Sequence, residues 1–317
     1  MPIHDAVAAR FPLLDGISSL QEAMGDPEKD QRVRAFLEPT DAPPAAVPTR
    51  DLTVDGPHGP VPVRVYGDAA GADRPALLWM HGGGFMMGDL DMGEADWTAR
   101  ELNARTGAVV VSVDYRLAVG GVHFPVPLDD CVAAARWLRD HGSELGVDAA
   151  RISIGGASAG GNLAVATTLR LRDEDGWQPL ALVPVYPVLH DVLPPMTPSI
   201  VAALDEVPPA LRFTEEGTGF MNANYLGGRP ADGYSFPTHA DLAGLAPTLV
   251  VTAEYDDLRA SGEPFAEQLR AAGVDVRLVQ ADGMLHGFLN LSSNLGPVDD
   301  VLQLMAATIA RPRSVHV

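Results

Sequence analysis

Apolar residues in this chain fall into short unbroken runs, separated by longer stretches where they recur every three or four positions. The runs at 76–80, 108–114 (AVVVSVD), 152–155 (ISIG), 181–186, 247–253 and 275–279 have strand length. A strand covered on both faces reads as such a continuous run. Between them, near 93–106, 126–145, 159–172, 260–272 and 298–310, the spacing predicts helices. Buried strands alternating with helices predict an α/β fold with a mostly parallel central sheet flanked by helices. Upstream, 51–54 and 61–65 alternate with period two, as half-buried strands do. Residues 1–38 read as short amphipathic helices, and Pro39 to Pro48 (PTDAPPAAVP) as an extended connector.

One interval breaks the rhythm. Roughly sixty residues separate the strand ending near Pro187 from the one starting near Pro247, too many for a simple crossover. The interval reads as an insertion above the sheet ends, a cap joined there by the N-terminal helices. The expected organisation is therefore 1–45 for N-terminal cap helices and linker, 46–188 with 241–317 for the main α/β domain, and 189–240 for the cap insertion.

Composition narrows the field of partners. Hydrophobic residues form 46% of the chain, enough for a large core, and the formal net charge of −20 argues against nucleic acid and anionic membrane surfaces. No apolar run is long enough for a transmembrane helix. The N-terminal stretch lacks the basic and apolar regions of a signal peptide, so a cytoplasmic protein is expected. Cys131, the only cysteine, sits in a helical run and reads as a buried structural thiol. The oligomeric state, a homodimer included, is left open.

Two motifs carry chemistry. Gly156-Ala157-Ser158-Ala159-Gly160 is a G-x-S-x-G between a predicted strand and a predicted helix. Such an elbow exposes its serine in strained backbone geometry at a helix N-terminus. His81-Gly82-Gly83-Gly84 ends another strand. Composition alone yields roughly 0.1 occurrences of the first motif and roughly 0.01 of the second, so both at strand ends are hard to attribute to chance. Glycines let backbone amides approach a developing oxyanion, a task that falls to Gly83 and Gly84 with Ala159 after the serine. His81 reads as a structural residue of that loop.

A serine hydroxyl needs a base, and the base an orienting acid, in the chain order serine, acid, histidine. His286, in Gly283-Met284-Leu285-His286-Gly287-Phe288, reads as a base in a glycine-flanked loop after the last strand; His316 stands next to last in the chain. For the acid, Glu254, Asp256 and Asp257 all follow the preceding strand, and Asp257 could instead cap the next helix. Asp282 shares the loop of His286 and suits the role less.

Taken together, HGGG, GASAGGN, Asp-Asp-Leu-Arg after a strand and a late His-Gly-Phe resemble the hormone-sensitive-lipase family of α/β-hydrolase carboxylesterases, from about Val61 to the C-terminus. The resemblance implies an esterase with a two-part cap and no cofactor, and it places the family's acid on Asp256, with Asp257 in the usual proline position. Two departures stand out: Ala157 before the serine, and Val119-Gly120-Gly121 where relatives carry Pro-Glu after Tyr115-Arg116-Leu117-Ala118. His123 in that rebuilt loop reads as a surface residue, with an approach to the site as the alternative.

The expected activity is hydrolysis of small to medium, uncharged acyl esters by Ser158, His286 and Asp256, with no metal. Phe85, Met86, Met87, Phe220, Met221 and Tyr225 are candidates for the substrate pocket. A ligand-binding relative without chemistry, or cleavage of amides or thioesters by the same triad, are the alternative readings.

Overall fold

A computed structural model describes residues 1–37, 44–68 and 71–311. Residues 39–43 of the predicted connector, and His316, lie outside the described residues. The strands are β1 (Thr49–Val54), β2 (Val61–Tyr66), β3 (Arg74–Met80), β4 (Val109–Val113), β5 (Val147–Ala157), β6 (Leu182–Val185), β7 (Thr248–Tyr255) and β8 (Val276–Leu285). The α-helices are α1 (Asp5–Ala8), α2 (Leu20–Met24), α3 (Pro27–Leu37), α4 (Gly93–Thr106), α5 (Val126–His141), α6 (Ala159–Asp175), α7 (Pro198–Leu204), α8 (Glu215–Leu226), α9 (Arg259–Ala271) and α10 (Gly296–Ile309).

The eight strands form one sheet in the order β1-β2-β4-β3-β5-β6-β7-β8. β1 and β2 pair antiparallel with their neighbours, and every pairing from β4 to β8 is parallel. From β3 the chain steps to β4 on one side, then returns to place β5 on the other. Such a reversal opens a crevice beyond the carboxyl ends of the two strands that flank it. The HGGG loop leaves β3 there, and Ser158 leaves β5. The continuous apolar runs are buried on both faces, with Leu77, Leu78, Val110, Val111, Ile154 and Val250 fully enclosed.

Element boundaries differ from the sequence reading where side chains are polar or absent. β5 begins at Val147, because Asp148, Ala149, Ala150 and Arg151 continue the strand without a large apolar side chain. β8 runs on to Leu285, so the expected glycine-flanked loop is largely strand and His286 follows it directly. As the edge of the sheet, β8 tolerates polar positions along one face, which interrupts the apolar run after Val279. The helix read over 126–145 ends at His141 and closes in a 3₁₀ turn, Gly142–Leu145.

The insertion between β6 and β7 holds α7, α8 and two short 3₁₀ turns. The N-terminal segment packs on itself through Phe11 and Phe36, and His4 N–H donates to Gly283 O at 2.9 Å beside the end of β8. Among the described residues no helix is long and apolar enough to cross a membrane. The loop after Tyr115 is stitched to α8: Phe124 N–H donates to Tyr225 O at 2.7 Å, His123 Nδ1 to Asn224 O at 2.7 Å, and Asn224 Nδ2 to Ala118 O at 2.7 Å. His123 thus holds the insertion.

Asp130, wholly buried in α5, accepts the Arg116 backbone N–H at 2.9 Å and pairs with the Arg116 guanidinium, joining this loop to the core. Asp130→Ala deletes the buried acceptor of the Arg116 backbone N–H and leaves the partly exposed guanidinium to solvent. It is expected to destabilise the fold by about 1–3 kcal/mol, seen as a lower urea midpoint at unchanged slope.

Candidate active site

Ser158 is the N-cap of α6, with φ 56° and ψ −118°, a conformation that costs on the order of 1–3 kcal/mol for a non-glycine residue. The surroundings enforce it. A Cβ on Gly156 would stand 2.2 Å from Gly160 O, and one on Gly160 would stand 2.2 Å from Met80 O and 2.4 Å from His81 O. Only glycines let α6 start this close to the end of β3. Ser158 N–H donates to Val185 O at 2.9 Å, which ties the elbow to β6.

The ends of β7 and β8 bring two more groups to the serine. His286 Nδ1 donates to Asp256 Oδ2 at 2.8 Å, which leaves Nε2 as the acceptor facing Ser158 Oγ at 3.0 Å. Asp256 is buried, and its Oδ1 accepts Leu258 N–H at 2.9 Å. Burial penalises charge on His286, but the adjacent Asp256 carboxylate, helped by Glu94 and Asp257, outweighs it and raises the imidazole pKa above its ordinary value.

The three acids left open by the sequence have separate partners. Glu254 accepts Gly283 N–H at 2.7 Å and the Met1 amine at 2.8 Å. Asp257 caps no helix: α9 begins without a side-chain cap, and the Asp257 carboxylate instead takes the Arg212 guanidinium at 3.0 Å and Phe213 N–H at 2.9 Å. Asp282 pairs with Gln280. Phe213, fixed in this way, lays its ring 4.2 Å from the His286 ring.

On the β3 side, Gly83 has φ 113° and Gly84 φ 59°, and a Cβ on Gly83 would fall 2.1 Å from Met87 O. The Met86 and Met87 amides close the loop onto Gly83 O at 3.0 and 2.9 Å. The amides of Gly83, Gly84 and Ala159 make no hydrogen bond to protein among the described residues. His81 is buried and stacked on Tyr115, and its Nδ1 donates to Gly82 O at 2.7 Å. Burial lowers its pKa.

Above Ser158 lies a narrow cleft walled by Gly84, Phe85, Val188, Phe213, Met221 and Leu258, among others. Of the six pocket candidates, Phe85 and Met221 reach it. Met86 and Met87 are half-buried in the loop, and Tyr225 is buried behind Phe85, ring on ring at 3.9 Å. Phe220 points outward. Val188, Phe213, Thr218, Asn222 and Leu258 were not anticipated. Neither was Glu94, a buried carboxylate that accepts Gly82 N–H at 2.5 Å and Tyr186 O–H at 2.9 Å. The period of α8 could have pointed to Thr218, Met221 and Asn222. Nothing local marks Glu94. Among the described residues no group of His, Cys, Asp and Glu is placed to hold a metal ion.

Residues 77–290 match the model of a family described by its alpha/beta hydrolase fold. The chain is 33% identical to Esterase LipI of Mycobacterium tuberculosis, over 91% of this chain and 86% of that protein. It is 36% identical to Carboxylesterase NlhH of the same organism, over 82% of each. A solved esterase from Pyrobaculum calidifontis superposes with a TM-score of 0.83 at 32% identity, covering 98% of both chains.

The elbow makes a sharp demand on sequence. Gly160→Ala is expected to cost about 1–3 kcal/mol, because both crowding atoms are backbone carbonyls. A melting temperature lowered by several degrees checks it.

Proposed function

The chain belongs to the α/β-hydrolase-fold family and its hormone-sensitive-lipase-like group, and from that premise we propose that it is a serine carboxylesterase for small to medium, uncharged acyl esters. The observation that carries this reading is the relay of Ser158 Oγ to His286 Nε2 at 3.0 Å and His286 Nδ1 to Asp256 at 2.8 Å, beside the unbonded loop amides.

In this reading Ser158 Oγ attacks the ester carbonyl while His286 Nε2 takes its proton. The Gly83, Gly84 and Ala159 amides receive the charge on the carbonyl oxygen, a contribution of about 3 kcal/mol for each well-aimed donor. The imidazolium, held by Asp256, then protonates the leaving alcohol. A water activated by the same imidazole releases the acid from the serine. The site's own groups complete the reaction, and no cofactor enters it.

The cleft supports the substrate class. Its walls are mostly apolar and carry no charged side chain, which suits a neutral acyl group. Residues 189–240 serve as the cap in this reading, since Phe213, Thr218, Met221 and Asn222 roof the serine. The N-terminal segment is its second part.

Hydrolysis of p-nitrophenyl acetate, butyrate and octanoate by the wild type and Ser158→Ala tests the proposal. Turnover fastest on the shorter esters, with the variant at background, is the expected result. Equal slow rates for both proteins would overturn it. Relative rates on a matched anilide separate ester from amide cleavage.

The raised His286 pKa sets a pH dependence. The base works only when neutral, so kcat/KM falls as pH drops through a pKa above the ordinary 6.5. Asp256→Asn is expected to move this acid limb to lower pH and reduce kcat by about 10²–10⁴-fold, as followed by pH-stat titration.

A further inference from the structure

Glu94 opens the first turn of α4 and is buried, yet the proposed reaction gives it no proton to move. Four hydrogen bonds converge on it from three parts of the chain. Trp79 Nε1 of β3 donates to its carbonyl at 2.8 Å, and its own N–H donates to Asn290 Oδ1 at 3.0 Å, just beyond His286. Tyr186 O–H, at the end of β6, donates to Oε2 at 2.9 Å, and Gly82 N–H to Oε1 at 2.5 Å.

No cation pairs with this carboxylate among the described residues. Its two oxygens accept one donor each, and burial raises its pKa against those two hydrogen bonds. A buried carboxyl group is expensive where packing alone is needed, since an apolar side chain of equal volume would serve.

The same contact explains the first glycine of HGGG. Gly83 and Gly84 have positive φ, and Gly82 does not. A Cβ on Gly82 would instead stand 2.3 Å from Glu94 Oε1 and 3.0 Å from Ser158 Cβ. Position 82 is a glycine because Glu94 and the serine occupy the space of its side chain. The peptide that leads into the two free amides is thus clamped between them.

We propose that Glu94 is a positioning residue of the oxyanion loop: its carboxylate fixes Gly82 N–H, and so aims the Gly83 and Gly84 amides at the oxygen of the tetrahedral intermediate. Tyr186, Trp79 and Asn290 hold Glu94 itself. The inference rests on the esterase reading above and adds a residue that touches no substrate.

The test compares Glu94→Met, Glu94→Asp and Glu94→Gln with wild type and Ser158→Ala on p-nitrophenyl butyrate. Inhibition by an alkyl trifluoromethyl ketone is measured beside it, because the serine adduct of that ketone carries the oxyanion. Glu94→Met is expected to lower kcat by about 10–100-fold and weaken the ketone by a similar factor, with KM within about twofold. Glu94→Gln keeps an acceptor at the right reach and is expected to recover most of the loss; Glu94→Asp falls short by a methylene and recovers less.

A folded Glu94→Met with kcat and ketone affinity within about twofold of wild type overturns the inference. So does a Glu94→Gln as impaired as Glu94→Met. If Glu94→Met does not fold, the order of the other two decides: Gln above Asp supports the inference, and Asp above Gln overturns it. A wild type no faster than Ser158→Ala defeats the esterase reading instead.

Discussion

The distance between the start of α6 and the end of β3 governs the site. Gly156 and Gly160 let the helix sit against the carbonyls of Met80 and His81 with no room for a single methyl group. That approach forces Ser158 into its strained dihedrals and places its hydroxyl beside the HGGG loop. The strain, on the order of 1–3 kcal/mol, is small against a core of fully buried strands but concentrated on one residue. It persists because β6 holds the Ser158 amide, the helix holds its carbonyl through Asn162 N–H, and a glycine stands two residues away on either side.

The other groups arrive from far along the chain. Parallel pairing of β5, β6, β7 and β8 brings four strand ends to one edge, so Ser158, Tyr186, Asp256 and His286 meet without long loops. Short connections leave little slack, and Asp256 and His286 come straight off their strands. Carboxylates then multiply around a single imidazole: Asp256 touches it, while Glu94 and Asp257 act across space. Burial alone would keep this histidine neutral. The three carboxyl groups together reverse that balance and favour the imidazolium that the proposed reaction forms when the serine gives up its proton.

Much of this was legible because the chemistry is local. The strained elbow and the glycine loop each occupy a few adjacent residues, and their place at strand ends follows from apolar runs. The acid was less accessible, since Glu254, Asp256 and Asp257 share one turn. Resemblance selected Asp256, and contacts separate the three: Glu254 faces an amine, Asp257 faces Arg212, and Asp256 faces His286. Phe220 shows where apolarity misleads. On α8 the inward face runs through Thr218, Met221, Asn222 and Tyr225, and Phe220 falls out of that phase. Glu94 was beyond reach, because an acid in a helix's first turn is ordinary. Its partners at 79, 82, 186 and 290 meet only once the sheet is built.

The link between Arg212 and Asp257 sets a limit on modularity. Asp257 is buried next to Asp256, and the insertion supplies its counter-charge together with the backbone amide of Phe213. Phe213 in turn covers His286. The insertion is therefore not a detachable attachment that can be exchanged to retune substrate choice. A transplanted segment without an arginine at this place would leave an orphan charge one residue from Asp256, so recombination among related chains has to carry positions 212 and 257 as a pair.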